Sequence, residues 1–294
     1  MTTSVWYSLP KVIEWKWDIA MRALTEEEIK HTELDILLEL DSICSQHGIS
    51  YLIAYGTALG AARHKGFIPW DDDIDVMMPR EDYEKLYRLF SEHRVESSLV
   101  LTTYRDKSSI YSFFKLTNPQ TIVRESYLRE EYSSGLWIDI FPIERASSIN
   151  EAKIAWRYCS RRLFIKAQRV ANPDAGTSMT AILAKRALIP ISLLFSPYKL
   201  AESIDRRAAK LDARGTVTST SPTLWASMDD TSSEKCTYSN DLLFPGRMVE
   251  FEGHQFPAPH KLDEYLTHCY GDWHKLPPES ERRPHFVDAY QLDD

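Results

Sequence analysis

Three aspartates spaced by two residues are the most informative pattern in the sequence. Asp71, Asp73 and Asp75 would lie on one side of an extended chain, because successive side chains of a strand alternate between its faces. Carboxylates that close together repel one another unless a cation lies between them. Mg²⁺ takes one or two carboxylates and completes its octahedron with substrate phosphates and water. We therefore predict a divalent-cation site at these three aspartates, whereas Asp72 would face the other way.

A fourth carboxylate is expected from a later strand. Asp139 stands between Ile138 and Ile140 in an otherwise apolar run. A buried aspartate there would be costly unless it were paired or bound to a cation. We predict that Asp139 joins Asp73 and Asp75 in a catalytic site that holds one or two Mg²⁺ ions, for which Mn²⁺ could substitute.

Two other interpretations of the acidic segment are open. A solvated acidic loop is common in proteins, but it does not explain why Ile74 and Val76 alternate with the acids. A calcium loop of the EF-hand type would use the three aspartates at its first, third and fifth positions. That loop also needs a glycine and a glutamate at the positions where this sequence has Val76 and Asp82.

The residues ahead of the acids have the chemistry of a phosphate site. Gly56 and Thr57 follow a short predicted strand, and backbone amides beside a glycine, together with a threonine hydroxyl, can approach phosphate oxygens closely. Arg63, His64 and Lys65 come next along the chain and would add positive charge. The alternative for these three residues is a solvated basic turn.

A lysine and two tryptophans are further candidates. Lys115 stands in an aromatic run, where a strand lysine either contacts a phosphate or extends to solvent. Trp70 and Trp137 adjoin the acids in the sequence, and an aromatic face can hold a quaternary ammonium by a cation–π contact. Plain packing is the competing role for both rings.

The elements that would position these residues indicate an α+β fold. Thr25 and Glu28 form a capping box ahead of a helix that ends near Gly48, and Pro79 precedes a second helix. The remaining pattern predicts strands near 73–78, 99–104, 110–116, 121–124 and 136–141, helices over 151–214, a loop over 215–240 and a hairpin at Glu252-Gly253.

These elements predict three regions. Residues 1–145 would form the catalytic core, with a mixed sheet and the N-terminal helix. Residues 146–240 would form a helical extension of basic character that faces the acceptor or a membrane. In residues 241–294 we expect a hairpin and a helix that pack back on the core.

Composition excludes several classes of protein. The 294 residues include 35 Lys plus Arg and 43 Asp plus Glu, which gives a formal net charge of −8. Such an acidic chain is not a general nucleic-acid binder, so no nucleic-acid partner is expected. The four cysteines form no C-x-x-C pair, and no apolar run approaches the ~20 residues that span a bilayer. We therefore expect a cytoplasmic protein with reduced thiols.

One long segment resembles a known family. The run from Gly56 to Asp82, GTALGAARHKGFIPWDDDIDVMMPRED, is similar to the signature of LicD-type phosphocholine transferases, whose domain also occurs in fukutin-related proteins. Further similarity lies in FFKLTNPQTIV, GLWIDIFPIE and FEGHQFPAP, so the likeness extends from about residue 25 to 286. The resemblance implies a nucleotidyltransferase core of the DNA polymerase β-like type. It also implies a basic pair formed by Arg282 or Arg283 with His285.

An activity follows from the resemblance. It implies Mg²⁺-dependent transfer of a phospho-alcohol group from a CDP-alcohol, usually phosphocholine from CDP-choline, to a hydroxyl of a surface glycan such as teichoic acid or lipopolysaccharide, with release of CMP. The ion held by Asp73 and Asp75 would neutralise the diphosphate, and Asp139 would help to deprotonate the acceptor. The alternatives are a nucleotidyltransferase that releases pyrophosphate and a scaffold that binds a nucleotide or glycan without turnover.

The basic region suggests a membrane as a further partner. Residues 153–214 contain 13 Lys or Arg and four acids, and 187–195 form a short apolar run. Because acceptors of this family are typically lipid-linked, we predict peripheral binding of 153–214 to the anionic inner face of the cell membrane. The competing interpretation is a buried core helix with a basic outer face.

Overall fold

α-Helices and β-strands are interspersed along the chain. The structure is a computed structural model that describes residues 21–125, 128–172, 192–218, 224–279, 282 and 288–292. Within these ranges the helices are α1 (Glu26–His47), α2 (Tyr55–His64), α3 (Arg80–Ser91), α4 (Ile149–Val170), α5 (Pro197–Thr218), α6 (Asn240–Leu243) and α7 (Leu262–Tyr270). The strands are β1 (Met21–Ala23), β2 (Leu52–Ile53), β3 (Asp75–Pro79), β4 (Val100–Thr102), β5 (Phe114–Thr117), β6 (Thr121–Arg124), β7 (Trp137–Arg145), β8 (Leu224–Ala226), β9 (Thr237–Ser239), β10 (Arg247–Phe251), β11 (His254–Ala258) and β12 (Asp288–Leu292).

A mixed seven-stranded sheet forms the centre of the fold. Its strands follow the order β2-β3-β7-β5-β4, and β8 and β9 continue the sheet from the far end of β7. β3 runs parallel to β7, whereas β2, β5 and β8 pair antiparallel with their neighbours. Ile138, Ile140 and Val76 are fully buried, as expected for strands covered on both faces. The predicted α+β class with a mixed sheet is confirmed.

Helix α1 matches the sequence prediction in detail. The Thr25 hydroxyl accepts the backbone N–H of Glu28, and the Glu28 carboxylate accepts the backbone N–H of Thr25, which completes the capping box. Gly48 ends the helix in the left-handed conformation, with φ of 58°, where a side chain would add strain. The predicted apolar face is buried: it consists of Ile36, Leu37, Leu40, Ile43 and Cys44.

The predicted helical extension is formed by α4 and α5. Ala155 and Cys159 of α4 pack against Ile204 and Ala208 of α5 in a small second core. Small side chains at these positions allow the two helices to approach closely. The predicted apolar run 187–195 lies largely outside the described residues, which omit 173–191.

One prediction about the second half of the chain was wrong, and one strand was missed. The loop predicted over 215–240 instead begins with the end of α5 and contains β8 and β9. Trp225 and Tyr238, which face each other across this strand pair, are both buried in the main core, and that burial overrides the polar composition of the segment. β12 was not predicted; it joins β1 and β6 in a separate three-stranded sheet. The hairpin at Glu252-Gly253 is confirmed as β10 and β11.

Candidate active site

The central sheet places three of the predicted residues in one row. Asp75 of β3 lies opposite Asp139 of β7, and Asp139 lies opposite Lys115 of β5. Residues in register on adjacent strands carry their side chains on the same face. The Lys115 ammonium is 3.2 Å from an Asp139 carboxylate oxygen, and the two side chains are only 4% and 15% exposed. The row therefore combines two carboxylates and a cation in a partly dehydrated environment.

The three spaced aspartates share one pocket. Asp71, Asp73 and Asp75 line a cavity of about 260 Å³, together with Tyr55, Gly56, Leu59, Ile68 and Tyr270. Asp72 is buried and does not line this pocket. The prediction that the odd-numbered acids face one side is thus confirmed by the structure.

The first turn of α2 holds the acids in place. The Thr57 hydroxyl oxygen accepts a 2.8 Å hydrogen bond from the backbone N–H of Asp75. A Cβ atom on Gly56 would lie only 2.6 Å from a carboxylate oxygen of Asp71, so only glycine lets that carboxylate approach the helix so closely. Thr57 thus fixes the start of β3 and Gly56 makes room for Asp71. The phosphate contacts predicted for both residues stay predictions.

Burial and mutual repulsion raise the pKa values of the carboxylates. Burial raises the pKa of Asp75 well above its usual range, and the charges of Asp73 and Asp139 raise it further. Burial raises the pKa of Asp139 to about 6, although the Lys115 ammonium acts in the opposite direction. Charged groups in this environment attract a cation, because any positive charge relieves their repulsion.

Sequence reasoning missed Glu33, a buried acid of α1. Its side chain is fully buried, and neither carboxylate oxygen has a hydrogen-bond partner among the described residues. Burial raises the pKa of Glu33 well above its usual range, and the next largest effect is the charge of Asp73. The sequence did contain an indication of this burial: Glu33 lies at helical spacing from Ile29 and Ile36, on the apolar face of α1 that is buried.

The acids fit a magnesium ion that is shared with a substrate. Among the residues that the structure describes, no group of three or more His, Cys, Asp or Glu side chains is arranged to hold a metal ion. Mg²⁺ rarely binds to protein ligands alone; it binds through one or two carboxylates plus substrate phosphates and water. Asp73 and Asp75 are the residues that would hold it, with Asp71 and Asp139 nearby, and this assignment stays a prediction.

The predicted basic trio lies against the C-terminal segment. Arg63 donates hydrogen bonds to the carbonyl oxygens of Trp273 and Lys275. Lys65 pairs with Glu250 of β10 at 3.1 Å. Burial lowers the pKa of His64, and the Arg63 charge lowers it further. The structure thus shows the two cations joining α2 to later parts of the chain, and a phosphate contact for the trio stays a prediction.

Both candidate tryptophans already face a cation of the protein itself. The Lys115 ammonium lies 3.4 Å from the ring centre of Trp137, and the Arg282 guanidinium lies 4.9 Å from that of Trp70. Arg282 thus lies beside Trp70, the residue that precedes Asp71, and its assignment to a basic pair stays a prediction. His285 and the alternative arginine of that pair, Arg283, lie outside the described residues.

An aromatic cluster that the sequence analysis did not identify adjoins the row of charges. Phe141 follows Asp139 by two residues, so both lie on one face of β7. The Phe141 ring contacts Phe113 and Tyr55, with ring centres 4.4 and 5.6 Å apart. Tyr55 also lines the pocket of the three aspartates. The site therefore has an acidic part and an aromatic part, linked by Tyr55.

Comparisons with known proteins identify relatives of this chain. A family model described as the LicD/FKTN/FKRP nucleotidyltransferase domain matches residues 48–168, which include both α2 and the charged row. The lipopolysaccharide cholinephosphotransferase LicD of Haemophilus influenzae is 32% identical over 284 residues, which cover 92% of this chain and 100% of that protein. Uncharacterised proteins of Rickettsia prowazekii and Rickettsia typhi are 27% and 34% identical over 90 and 74 residues, or 28% and 24% of this chain and 33% and 24% of theirs.

These similarities identify the class of the protein. A relative at 32% identity that aligns along nearly the whole chain, together with the match to the family domain, shows common descent rather than a shared motif. The chain belongs to the LicD family.

Proposed function

We propose that this protein transfers phosphocholine from CDP-choline to a hydroxyl of a cell-surface glycan and releases CMP, with Mg²⁺ as cofactor and Mn²⁺ as a substitute. The observation that carries the proposal is the row of Asp75, Asp139 and Lys115 across three strands. The proposal is also supported by the relative that is named as a lipopolysaccharide cholinephosphotransferase. Lipopolysaccharide is accordingly the first acceptor to test, and teichoic acid is the second.

The acids would divide two tasks between them. Asp73 and Asp75 line the pocket and would hold the ion, which supplies positive charge to the diphosphate of the donor. Asp139 would accept the proton of the acceptor hydroxyl, and its pKa of about 6 suits a base that works near neutral pH. Lys115 would keep the Asp139 carboxylate charged and in position.

The transfer step balances with these groups. The acceptor oxygen forms a bond to the phosphorus of the phosphocholine group while its proton moves to Asp139. The bond between that phosphorus and the bridging oxygen of the diphosphate breaks, and CMP leaves with that oxygen. Tyr55 and Phe141 adjoin the charged row, and their rings offer a surface for the quaternary ammonium of choline.

Product analysis tests this proposal directly. The protein is incubated with Mg²⁺, lipopolysaccharide that lacks phosphocholine, and one of the CDP-alcohols of choline, ethanolamine, ribitol or glycerol. We expect CMP and a phosphocholine-bearing glycan with CDP-choline alone, detected by mass spectrometry. Pyrophosphate release from CTP would instead indicate a nucleotidyltransferase, and binding without any product would indicate a scaffold.

A membrane contact through α4 is part of the proposal. The outer face of α4 exposes Ile154 and Phe164, at 48% and 60%, with Arg157 and Arg161 exposed between them. Apolar side chains among basic ones are typical of helices that lie on anionic membranes. Among the described residues, no helix is both long enough and apolar enough to cross a bilayer.

Vesicle flotation tests the membrane contact. At low salt we expect binding to vesicles that contain anionic lipid and none to neutral vesicles, because surface charge attracts the basic helix. Replacing Ile154 and Phe164 by serine would weaken binding to the anionic vesicles. No difference in flotation between the two kinds of vesicle would contradict the proposal, and no binding to either kind would favour a basic face that is merely solvated.

A further inference from the structure

Glu33 is a buried acid without a visible partner. Its side chain is 0% exposed, and neither carboxylate oxygen has a hydrogen bond to any residue that the structure describes. A carboxylate in that position is expensive to keep unless something else provides positive charge or a hydrogen bond. The surroundings of Glu33 therefore indicate what could stabilise its carboxyl group.

Two contacts of α1 show that this stretch of the helix faces the acidic site. Lys30, three residues before Glu33 and so on the same side of the helix, donates a 3.2 Å hydrogen bond to the carbonyl oxygen of Pro69. That bond holds the loop just before Asp71 against α1. One turn before Glu33, Ile29 packs in a cluster with Trp137, two residues from Asp139. Glu33 therefore lies between the acidic loop and β7.

Another fully buried glutamate among the described residues illustrates a structural role. Glu144 is also 0% exposed, but both of its carboxylate oxygens accept hydrogen bonds from the Arg80 guanidinium. A partly buried glutamate of α1 itself, Glu39, accepts a hydrogen bond from the Ser97 hydroxyl. Glu33 has neither kind of partner in the described part of the chain, so packing alone does not account for a carboxyl group there.

We propose that Glu33 is a further carboxylate of the divalent-cation site. It would add negative charge behind Asp73, and the bound cation would supply the partner that the described residues do not. The proposal rests on the metal dependence in the proposed function, and it extends that site from the strands to α1. Carboxylate oxygens suit Mg²⁺ and Mn²⁺, and carboxylates beyond the direct ligands commonly strengthen metal binding.

Metal binding measured without substrate tests the proposal. We compare wild type with Glu33→Gln, which keeps the shape and removes the charge, by Mn²⁺ titration calorimetry and by electron paramagnetic resonance of free Mn²⁺. We expect Mn²⁺ affinity to fall about 10- to 100-fold in Glu33→Gln, as for other groups just outside the metal ligands. The matched control is Asp35→Asn, which removes the same charge from the exposed side of α1, where the side chain is 62% exposed.

Thermal melts separate a role in metal binding from a structural one. Without metal, Glu33→Gln should melt at the same temperature as wild type or higher, because a buried carboxyl group without a partner among the described residues has been replaced by an uncharged group of the same shape. Added Mn²⁺ should raise the melting temperature of wild type and of Asp35→Asn, but raise that of Glu33→Gln much less. A second variant, Glu33→Met, replaces the carboxylate by an apolar group of similar length and should behave like Glu33→Gln.

Each outcome has a distinct meaning. If wild type binds Mn²⁺ and both Glu33 variants bind it equally well, the role of Glu33 is refuted while the proposed metal site stands. If both variants lose stability without metal, Glu33 has a structural role and the proposal is again refuted. If wild type binds neither Mn²⁺ nor Mg²⁺, the metal dependence in the proposed function fails and this proposal fails with it.

Discussion

Replacing Thr57 by valine tests how the start of β3 is held in place. Valine has nearly the shape of threonine but lacks the oxygen that accepts the 2.8 Å hydrogen bond from the Asp75 backbone N–H. Thr57 is only 3% exposed, so water cannot easily replace the lost acceptor. Leaving a buried N–H without a partner costs about 1–3 kcal/mol, and we expect Thr57→Val to lose that much free energy of unfolding.

The same change should reduce turnover. Asp75 is the first residue of β3, so losing the bond frees the carboxylate that is proposed to hold the ion. If misplacing Asp75 costs about 1.4 kcal/mol in the transition state, the rate falls about tenfold. Urea unfolding measures the first effect, and CMP release from CDP-choline measures the second.

Thr57→Ser is the matched control, because it keeps the hydroxyl at the same position. We expect it to retain most of the stability and turnover of wild type. The reasoning would be refuted if Thr57→Val unfolded at the wild-type urea concentration and showed only a raised KM for the donor. In that case the hydroxyl would act on a phosphate, as the sequence alone suggested, and not on Asp75.

Two further predictions concern cations of the core. Lys115→Met removes the charge that lowers the pKa of Asp139, so the acid limb of the pH profile of kcat/KM should move to higher pH; an unmoved limb would show that Asp139 is not the base. Arg80→Met leaves Glu144 buried without its partner, which should cost about 3–5 kcal/mol in urea unfolding. Burial already raises the pKa of Glu144 to about 7, although the Arg80 charge acts in the opposite direction. Without that charge the pKa should rise further in the variant. A carboxyl group whose pKa is higher in the folded state than in the unfolded state stabilises the folded state less as the pH increases. The unfolding free energy lost in Arg80→Met should therefore be larger near pH 8 than near pH 5.5. Equal losses at the two pH values would contradict this prediction.

Local patterns were sufficient to predict part of the site. The spacing of Asp71, Asp73 and Asp75 fixes which side of the chain they face, and that spacing is a property of the backbone alone. Asp139 could be predicted because it interrupts an apolar strand, where a buried charge is costly unless it is paired or bound to a cation. The pairing of these two segments as parallel neighbours required the structure, since register between distant strands depends on the whole sheet.

Other features depend on contacts between distant parts of the chain. The role of Thr57 as an acceptor for Asp75 could not be seen, because a threonine before an acidic segment fits a phosphate equally well. Trp137 was a candidate for a ligand cation until the structure placed Lys115 against its ring. β12 was missed because its five residues form a strand only when β1 and β6 are present to pair with them. Residue types thus indicate which side chains converge, whereas the structure is needed to show which residues they contact.

The most direct test of the central claim is Mg²⁺-dependent CMP release by Asp75→Asn. The substitution removes one charge from a cluster of mutually repelling carboxylates, so the metal-free protein should be as stable as wild type or slightly more stable. Asp35→Asn, on the exposed side of α1, is the control for charge removal and should keep normal turnover. With CDP-choline and a glycan acceptor, we predict that Asp75→Asn releases no CMP although it melts normally. Near-normal CMP release by a correctly folded Asp75→Asn would contradict the account.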